Sequence, residues 1–284
     1  MKTNSVNNFG IILLIIAGCF FGFGPIFVKY SNVTTPFAVT FYRVLIAAII
    51  ILIYSIITNK SIKIPLKLHL KILYTAFFLA LDFGMFYLAM NYTTLSNVSL
   101  INNLSPIFVN LIMWIAFGIK PTKKIIIGTI MAILGLLVIT GFDDNGTALG
   151  NYIALSSACL YAIYMVLITP IAKELTPVQT NLYLSGYCAF FCAIFMFLYS
   201  GEIFIPNLEE FKFLTINSIV CQVLAQTLVM LALKQVSTNI ASAILLIEPV
   251  AVMILSFIIF GATLSILQIG GAALVLLGIL ILKK

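Results

Sequence analysis

Charge is what this sequence has least of. Of its 284 residues 8% are charged and 63% hydrophobic, whereas a water-soluble domain carries about 25% charged residues. So few charges cannot cover an aqueous surface, and a lipid bilayer is the partner that removes the need. Histidine is nearly absent as well. His69 is the single one, which excludes any multi-histidine metal or catalytic cluster. No G-x-x-x-x-G-K-[ST] loop occurs, so the chain has no nucleotide motor of its own. The cysteines, Cys19, Cys159, Cys188, Cys192 and Cys221, fall inside apolar runs without metal-ligand spacing and read as small packing residues. A membrane-embedded enzyme generally requires a His, Ser or Asp constellation or a metal site. An enzyme is therefore disfavoured, and no cofactor or metal is expected.

The net charge is +7, but the lysines stand in short runs between apolar stretches. That pattern directs membrane topology and does not point to nucleic acid.

Long apolar runs are what the sequence does have. A helix needs about 20 such residues to cross the bilayer core. Ten stretches qualify, at roughly 10–29, 35–57, 70–90, 95–118, 124–141, 149–170, 178–199, 212–232, 238–260 and 265–282. The first is too long for a signal peptide, and no small-x-small cleavage site follows it. With the N-terminus in the cytoplasm, the inner segments hold Lys2, Lys60, Lys63, Lys67, Lys71, Lys120, Lys123, Lys124, Lys173, Lys234, Lys283 and Lys284. The outer segments hold Lys29 and Lys212, together with Asp143, Asp144, Glu202, Glu209 and Glu210. This positive-inside bias places both termini in the cytoplasm.

The two halves of the chain resemble each other. Ala89 and Ala232, Ser99 and Ser242, Pro106 and Pro249, Gly128 and Gly271, and Gly135 and Gly278 all stand 143 residues apart. Phe117-Gly118 recurs as Phe260-Gly261 at the same offset, and Thr35-Pro36 recurs as Thr176-Pro177. The expected units are 1–145 and 146–284, five helices each. An odd number of spans reverses direction through the membrane, so the expected fold is all-α with ten transmembrane helices in two inverted repeats. Such repeats are a recurrent transporter architecture, with the substrate site at mid-membrane where the halves meet.

Three charged residues fall deep in the apolar runs: Arg43, Asp82 and Glu248. Each costs at least about 2.5–3.5 kcal/mol on insertion scales, so each is a functional candidate. Arg43 and Asp82 both lie about 12 Å below the outer boundary, a depth at which they could pair, either as a structural bridge or as an anchor for a charged substrate. Glu248 precedes Pro249, whose ring disrupts the helix and frees a carbonyl. There it could bind a cationic group, exchange a proton, or bond to neighbouring helices. Its counterpart in the first half is Ser105, beside Pro106. Asn102, Asn103, Gln222, Gln226, Tyr161, Tyr164, Tyr183 and Tyr187 add polar groups near these prolines and favour a polar central cavity. Gly18-x-x-x-Gly22 permits close helix contact, and Pro25 makes the first helix bendable. Pro25, Pro106 and Pro249 are the candidate hinges.

The stretches DFGMFYLAMN (Asp82–Asn91), YTTLSNVSLINNLSPIFVNLIMWIAFG and ALKQVSTNIASAILLIEPVAVMILSFIIFG resemble the drug/metabolite transporter superfamily in its EamA-like branch. The resemblance rests on Ala89, Tyr92-Thr93, Pro106 and Glu248-Pro249, and it extends over essentially the whole chain. Ile119 and Ala262 depart from it, since the family commonly has Glu after the glycine that ends helices four and nine. The resemblance implies passage of metabolites, often amino acids, through a central cavity by rocking of the two halves. It also implies that helices five and ten are peripheral and mediate contacts in some relatives, which leaves room for a homo-oligomer. The leading expectation is a secondary carrier of small polar metabolites, amino acids or derivatives first. The alternative is a multidrug exporter of lipophilic cations, held by Glu248 and the tyrosines. Abundant Lys, Asn and Ile, without an organelle signal, point to a bacterial inner membrane.

Overall fold

The computed structural model describes residues 7–31, 37–141, 147–201, 203–261, 263 and 265–283. Lys2, Thr35, Pro36, Asp143, Asp144, Glu202, Ala262 and Lys284, used above, lie outside them. Every regular element among the described residues is helical. Nine helices are long and apolar enough to span a bilayer: α1 (Asn8–Phe27), α2 (Ala38–Ile57), α3 (Leu66–Ala89), α4 (Ser96–Phe117), α5 (Lys123–Thr140), α6 (Ala148–Glu174), α7 (Pro177–Ser200), α8 (Leu208–Leu233) and α9 (Thr238–Phe260). The tenth, α10 (Ile266–Leu282), is shorter. At about 1.5 Å rise per residue it reaches about 25 Å, near the lower limit for a span.

Polar residues in the connections start these helices and glycines stop them. Thr122, Thr147 and Thr176 each accept a backbone N–H in the first turn of α5, α6 and α7, and Asn207 does so for α8. Such caps satisfy donors that lipid cannot. Gly118 and Gly261 end α4 and α9 with φ of 69° and 62°, the left-handed conformation that glycine adopts without steric cost. They are repeat counterparts, so the two halves stop the same helix in the same way.

The repeat is inverted. Helix α5 packs on α10 through its glycines: a Cβ at Gly128 would meet the Gly278 carbonyl oxygen at 2.7 Å, and one at Gly135 would meet that of Gly271 at 2.5 Å. Residue numbers rise along one helix as they fall along the other, so these counterpart helices run antiparallel. The main contacts of α1, α3, α6 and α8 come in exchanged pairs. Helix α3 packs on α6 as α8 packs on α1, α3 on α7 as α8 on α2, and α4 on α6 as α9 on α1. A two-fold axis in the membrane plane relates the halves. Close backbone approach of this kind replaces the hydrophobic drive that lipid does not provide.

Four helices are irregular at mid-depth. Helix α1 turns at Gly22–Phe23 before Pro25, and α4 breaks at Asn103–Leu104 before Pro106. Helix α9 passes through a 3-10 turn at Leu245–Ile247 before Glu248 and Pro249. Helix α8 widens to a π-helix over Ser218–Ala225. All three candidate hinge prolines therefore stand at breaks. Gly18 and Gly22 bring α1 against the broken stretch of α9, next to Ile247–Glu248 and Ala251–Val252 respectively.

Candidate functional site: a charged cavity between the halves

The breaks surround a cavity of about 970 Å³. Both halves line it: Pro25, Arg43, Asp82, Tyr87, Asn102 and Asn103 from the first, and Tyr161, Tyr164, Gln226 and Glu248 from the second. It runs from mid-depth to Ile26, Met90, Asn91 and Phe260, which lie at or near helix ends on the face away from the termini, the distal face. Toward the terminal face the bundle is closed. Leu14, Ile72, Ile168, Ile171 and Leu233 are fully or almost fully buried there. Cross-links at that end include Thr238 Oγ1 to Thr169 Oγ1 at 3.0 Å and Asn239 Nδ2 to Asn110 Oδ1 at 2.8 Å. Among the described residues the cavity is thus open toward the distal face and closed toward the terminal one.

The Arg43–Asp82 ion pair expected from equal depth is not formed. Arg43 donates from Nε and Nη2 to Gln222 Oε1 at 3.3 and 3.2 Å, and its guanidinium lies 4.5 Å from the centroid of the Phe83 ring. Asp82 Oδ1 accepts from Ser157 Oγ at 2.6 Å. Asn102 bonds both that serine, at 2.8 Å, and the carboxylate. An ion pair does join Lys71 and Glu174, at 3.6 Å near the terminal face. Equal depth does not fix rotation about the helix axis, and the two side chains leave their helices toward different neighbours.

Glu248 faces the cavity and is half-buried, with no hydrogen-bond or ion-pair partner among the described residues. Gln226 donates from Nε2 to the Tyr164 hydroxyl, which fixes that ring in the wall. Gln222 stands behind Arg43 and braces it; it also donates to Ser185 Oγ at 3.2 Å. The π-helix that carries Gln222 is a local widening of a kind that recurs at functional sites. Ser218, in the same stretch, donates to the Arg43 carbonyl at 2.7 Å.

Tyr183 is not brought to this cavity. Its hydroxyl donates to the Ile62 carbonyl at 2.8 Å, and its ring meets His69 edge-on at 4.7 Å near the closed end. Contributors that escaped the sequence reading include Ser157, Phe83, Tyr87 and Ser218. Phe83 adjoins Asp82 in sequence, which was a usable signal. A serine in an apolar helix gives no such sign. Among the described residues no group of three or more His, Cys, Asp or Glu side chains gathers. What the cavity offers is charge of both signs, hydrogen-bonding groups and aromatic faces.

Comparison with known proteins matches this architecture to the EamA-like transporter family model twice, over residues 8–141 and 148–283. The chain belongs to the EamA-like transporter family. A Bacillus subtilis (strain 168) protein, the uncharacterized transporter YyaM, is 27% identical over 277 residues, covering 94% of this chain and 89% of that one. A solved crystal structure shares the fold with a TM-score of 0.81 at 16% identity, over 96% of this chain and 97% of that chain. As an EamA-like transporter, the chain has its two family units on either side of the cavity.

Proposed function

We propose that this transporter is a secondary carrier of small zwitterionic metabolites, amino acids or their derivatives, and not an enzyme. One observation carries the reading: a single cavity holds the Arg43 guanidinium and the Glu248 carboxylate, and neither makes a direct ion pair with a protein group of opposite charge. Charges kept in a poorly solvated site without a directly bonded counter-ion favour a ligand that supplies one. A substrate carboxylate would meet Arg43, already held in place by Gln222 and Phe83. A substrate ammonium would meet Glu248. Asp82, Asn102, Asn103, Gln226 and Tyr161 would shape the wall, while Pro25, Pro106 and Pro249 would serve as hinges when the halves rock.

In this reading both termini are cytoplasmic, because the lysine-rich connections lie on the terminal face. The protein sits in a bacterial plasma membrane, and the cavity opens outward. The aromatic wall of Phe21, Phe83, Phe86, Tyr87 and Phe260 favours a second reading, export of lipophilic cations, through cation–π attraction beside Glu248.

The test is uptake into proteoliposomes of a labelled amino-acid panel and one lipophilic cation, with and without an imposed pH gradient. Saturable amino-acid uptake supports the zwitterion carrier. Uptake of the cation alone replaces it with the exporter.

A further inference from the structure

A second, smaller chamber of about 370 Å³ adjoins the main cavity and shares Pro25, Asn103, Glu248, Val252 and Ser256 with it. It lies between the pairs α4–α5 and α9–α10, and it runs from Glu248 toward Ser96, Thr140 and Gln268, at helix ends on the distal face. Its polar lining also includes Ser99 and Ser256. Ser96 donates to the Thr140 carbonyl at 3.0 Å, and Thr140 donates to the Leu136 carbonyl at 3.0 Å. Their protons are thereby committed, which leaves hydroxyl lone pairs free as acceptors for water. The volume holds on the order of ten waters, and the polar lining gives them partners.

The inverted repeat provides an internal control. Shifting by 143 residues turns Ser96 into Asn239, Met253 into Asn110, Ser99 into Ser242 and Val252 into Val109. On the terminal face three of these counterparts are packed shut: Asn239 bonds Asn110 at 2.8 Å, and Val109 is buried, while Ser242, also buried, stands at the inner end of the main cavity. The same crossing of α4 and α9 is thus closed at one end and hollow at the other. The chamber follows from the state of the transporter, since the same helices pack densely elsewhere.

We propose that this side chamber is a second aqueous route to Glu248, through which the carboxylate exchanges a proton with the distal solution while substrate fills the main cavity. The coupling role rests on the carrier reading above. The route itself does not. The charged or titratable groups facing Glu248 are Arg43 from α2, Tyr87 from α3, Tyr161 from α6 and Cys221 from α8, with Asp82 of α3 elsewhere in the same wall. All of them line the main cavity. The side chamber itself presents hydroxyls, amides and apolar groups besides Glu248. In the proposed step a hydronium or water in the chamber and Glu248 exchange one proton, with no other bond made or broken.

The route is measurable without a substrate, so its failure is separable from failure of the carrier reading. The background is a chain with its native cysteines replaced by alanine or serine. In it, Ser99→Cys and Thr140→Cys should react with a small charged methanethiosulfonate roughly tenfold faster than Val109→Cys, at the buried counterpart of Val252 in the chamber wall, or the lipid-facing Ile130→Cys, since thiol reactivity follows exposure. Equal rates would mean a dry chamber and overturn the proposal. Independence of the two routes is read by blocking the main one. Met90→Cys is capped with a bulky fluorescein maleimide, and deuterium exchange of the Glu248 carboxyl is followed by infrared difference spectroscopy, its band assigned with Glu248→Gln. The cap should slow exchange by less than about threefold, and adding Ser99→Leu should slow it by roughly tenfold more. Exchange abolished by the cap alone, or unaffected by Ser99→Leu, contradicts a second route.

Discussion

The two repeats share the residues that shape the backbone and differ in those that carry charge. Pro106 and Pro249 break counterpart helices, Gly118 and Gly261 stop them, and Gly128, Gly135, Gly271 and Gly278 pack α5 on α10. Yet Glu248 answers to Ser105, and Asp82, at the same offset of 143, answers to Ala225. A fold that exchanges its halves needs a symmetric scaffold, because each half must be able to take the other's role. Binding one substrate requires no such symmetry, and a single set of charges at the shared boundary is sufficient.

Substitutions at counterpart positions can break this comparison. The largest effect is expected in the scaffold. Gly135→Leu and Gly278→Leu should each cost more than the about 1–3 kcal/mol typical of overpacking, because the added side chain meets backbone on the facing helix. Both should lose monodispersity in detergent chromatography to the same degree, whereas unequal loss would weaken the symmetry argument. Next comes the charged set. Arg43→Gln removes a charge-assisted contact worth about 1.5–3 kcal/mol, so the apparent KM for an amino acid should rise about 10–100-fold. Arg43→Lys keeps the charge but loses the fork that grips Gln222, and it should fall between the two. A smaller effect is expected at the closed end. Asn110→Ala or Asn239→Ala removes a neutral hydrogen bond worth about 0.5–1.5 kcal/mol. The resulting shift toward opening on the terminal face would appear as a severalfold rise in thiol labelling of Val109→Cys, and no change would argue against that bond as a latch. Tyr183→Phe, away from the cavity, should change uptake by less than about twofold.

Much of the fold could be read directly in the sequence. In lipid every backbone group must be bonded internally, so apolar length alone marks spans, and the prolines and glycines at fixed offset marked the repeat. The site was readable in part. Arg43, Asp82, Asn102, Asn103, Tyr161, Gln226 and Glu248 do meet in one cavity, because intramembrane polar groups are expensive wherever no cavity or partner receives them. Their pairing was not readable. It depends on helix rotation, on the π-helical widening at Ser218–Ala225 and on Ser157, a small residue whose role shows only once α6 lies against α3. Tyr183 misled for a related reason: its position in α7 places it near the terminal face, where a loop carbonyl takes its hydroxyl.

The most direct measurement compares the two counterparts at the helix breaks. Proteoliposomes carrying the unmodified chain, Glu248→Gln or Ser105→Ala are given the same labelled amino-acid panel, with protein insertion checked by chromatography. The account predicts that Glu248→Gln lowers saturable uptake by roughly 100-fold, equivalent to about 3 kcal/mol, and that Ser105→Ala stays within about threefold. Uptake through Glu248→Gln equal to that of the unmodified chain would contradict it, and would leave the carboxylate as a packing residue in a symmetric channel between the halves.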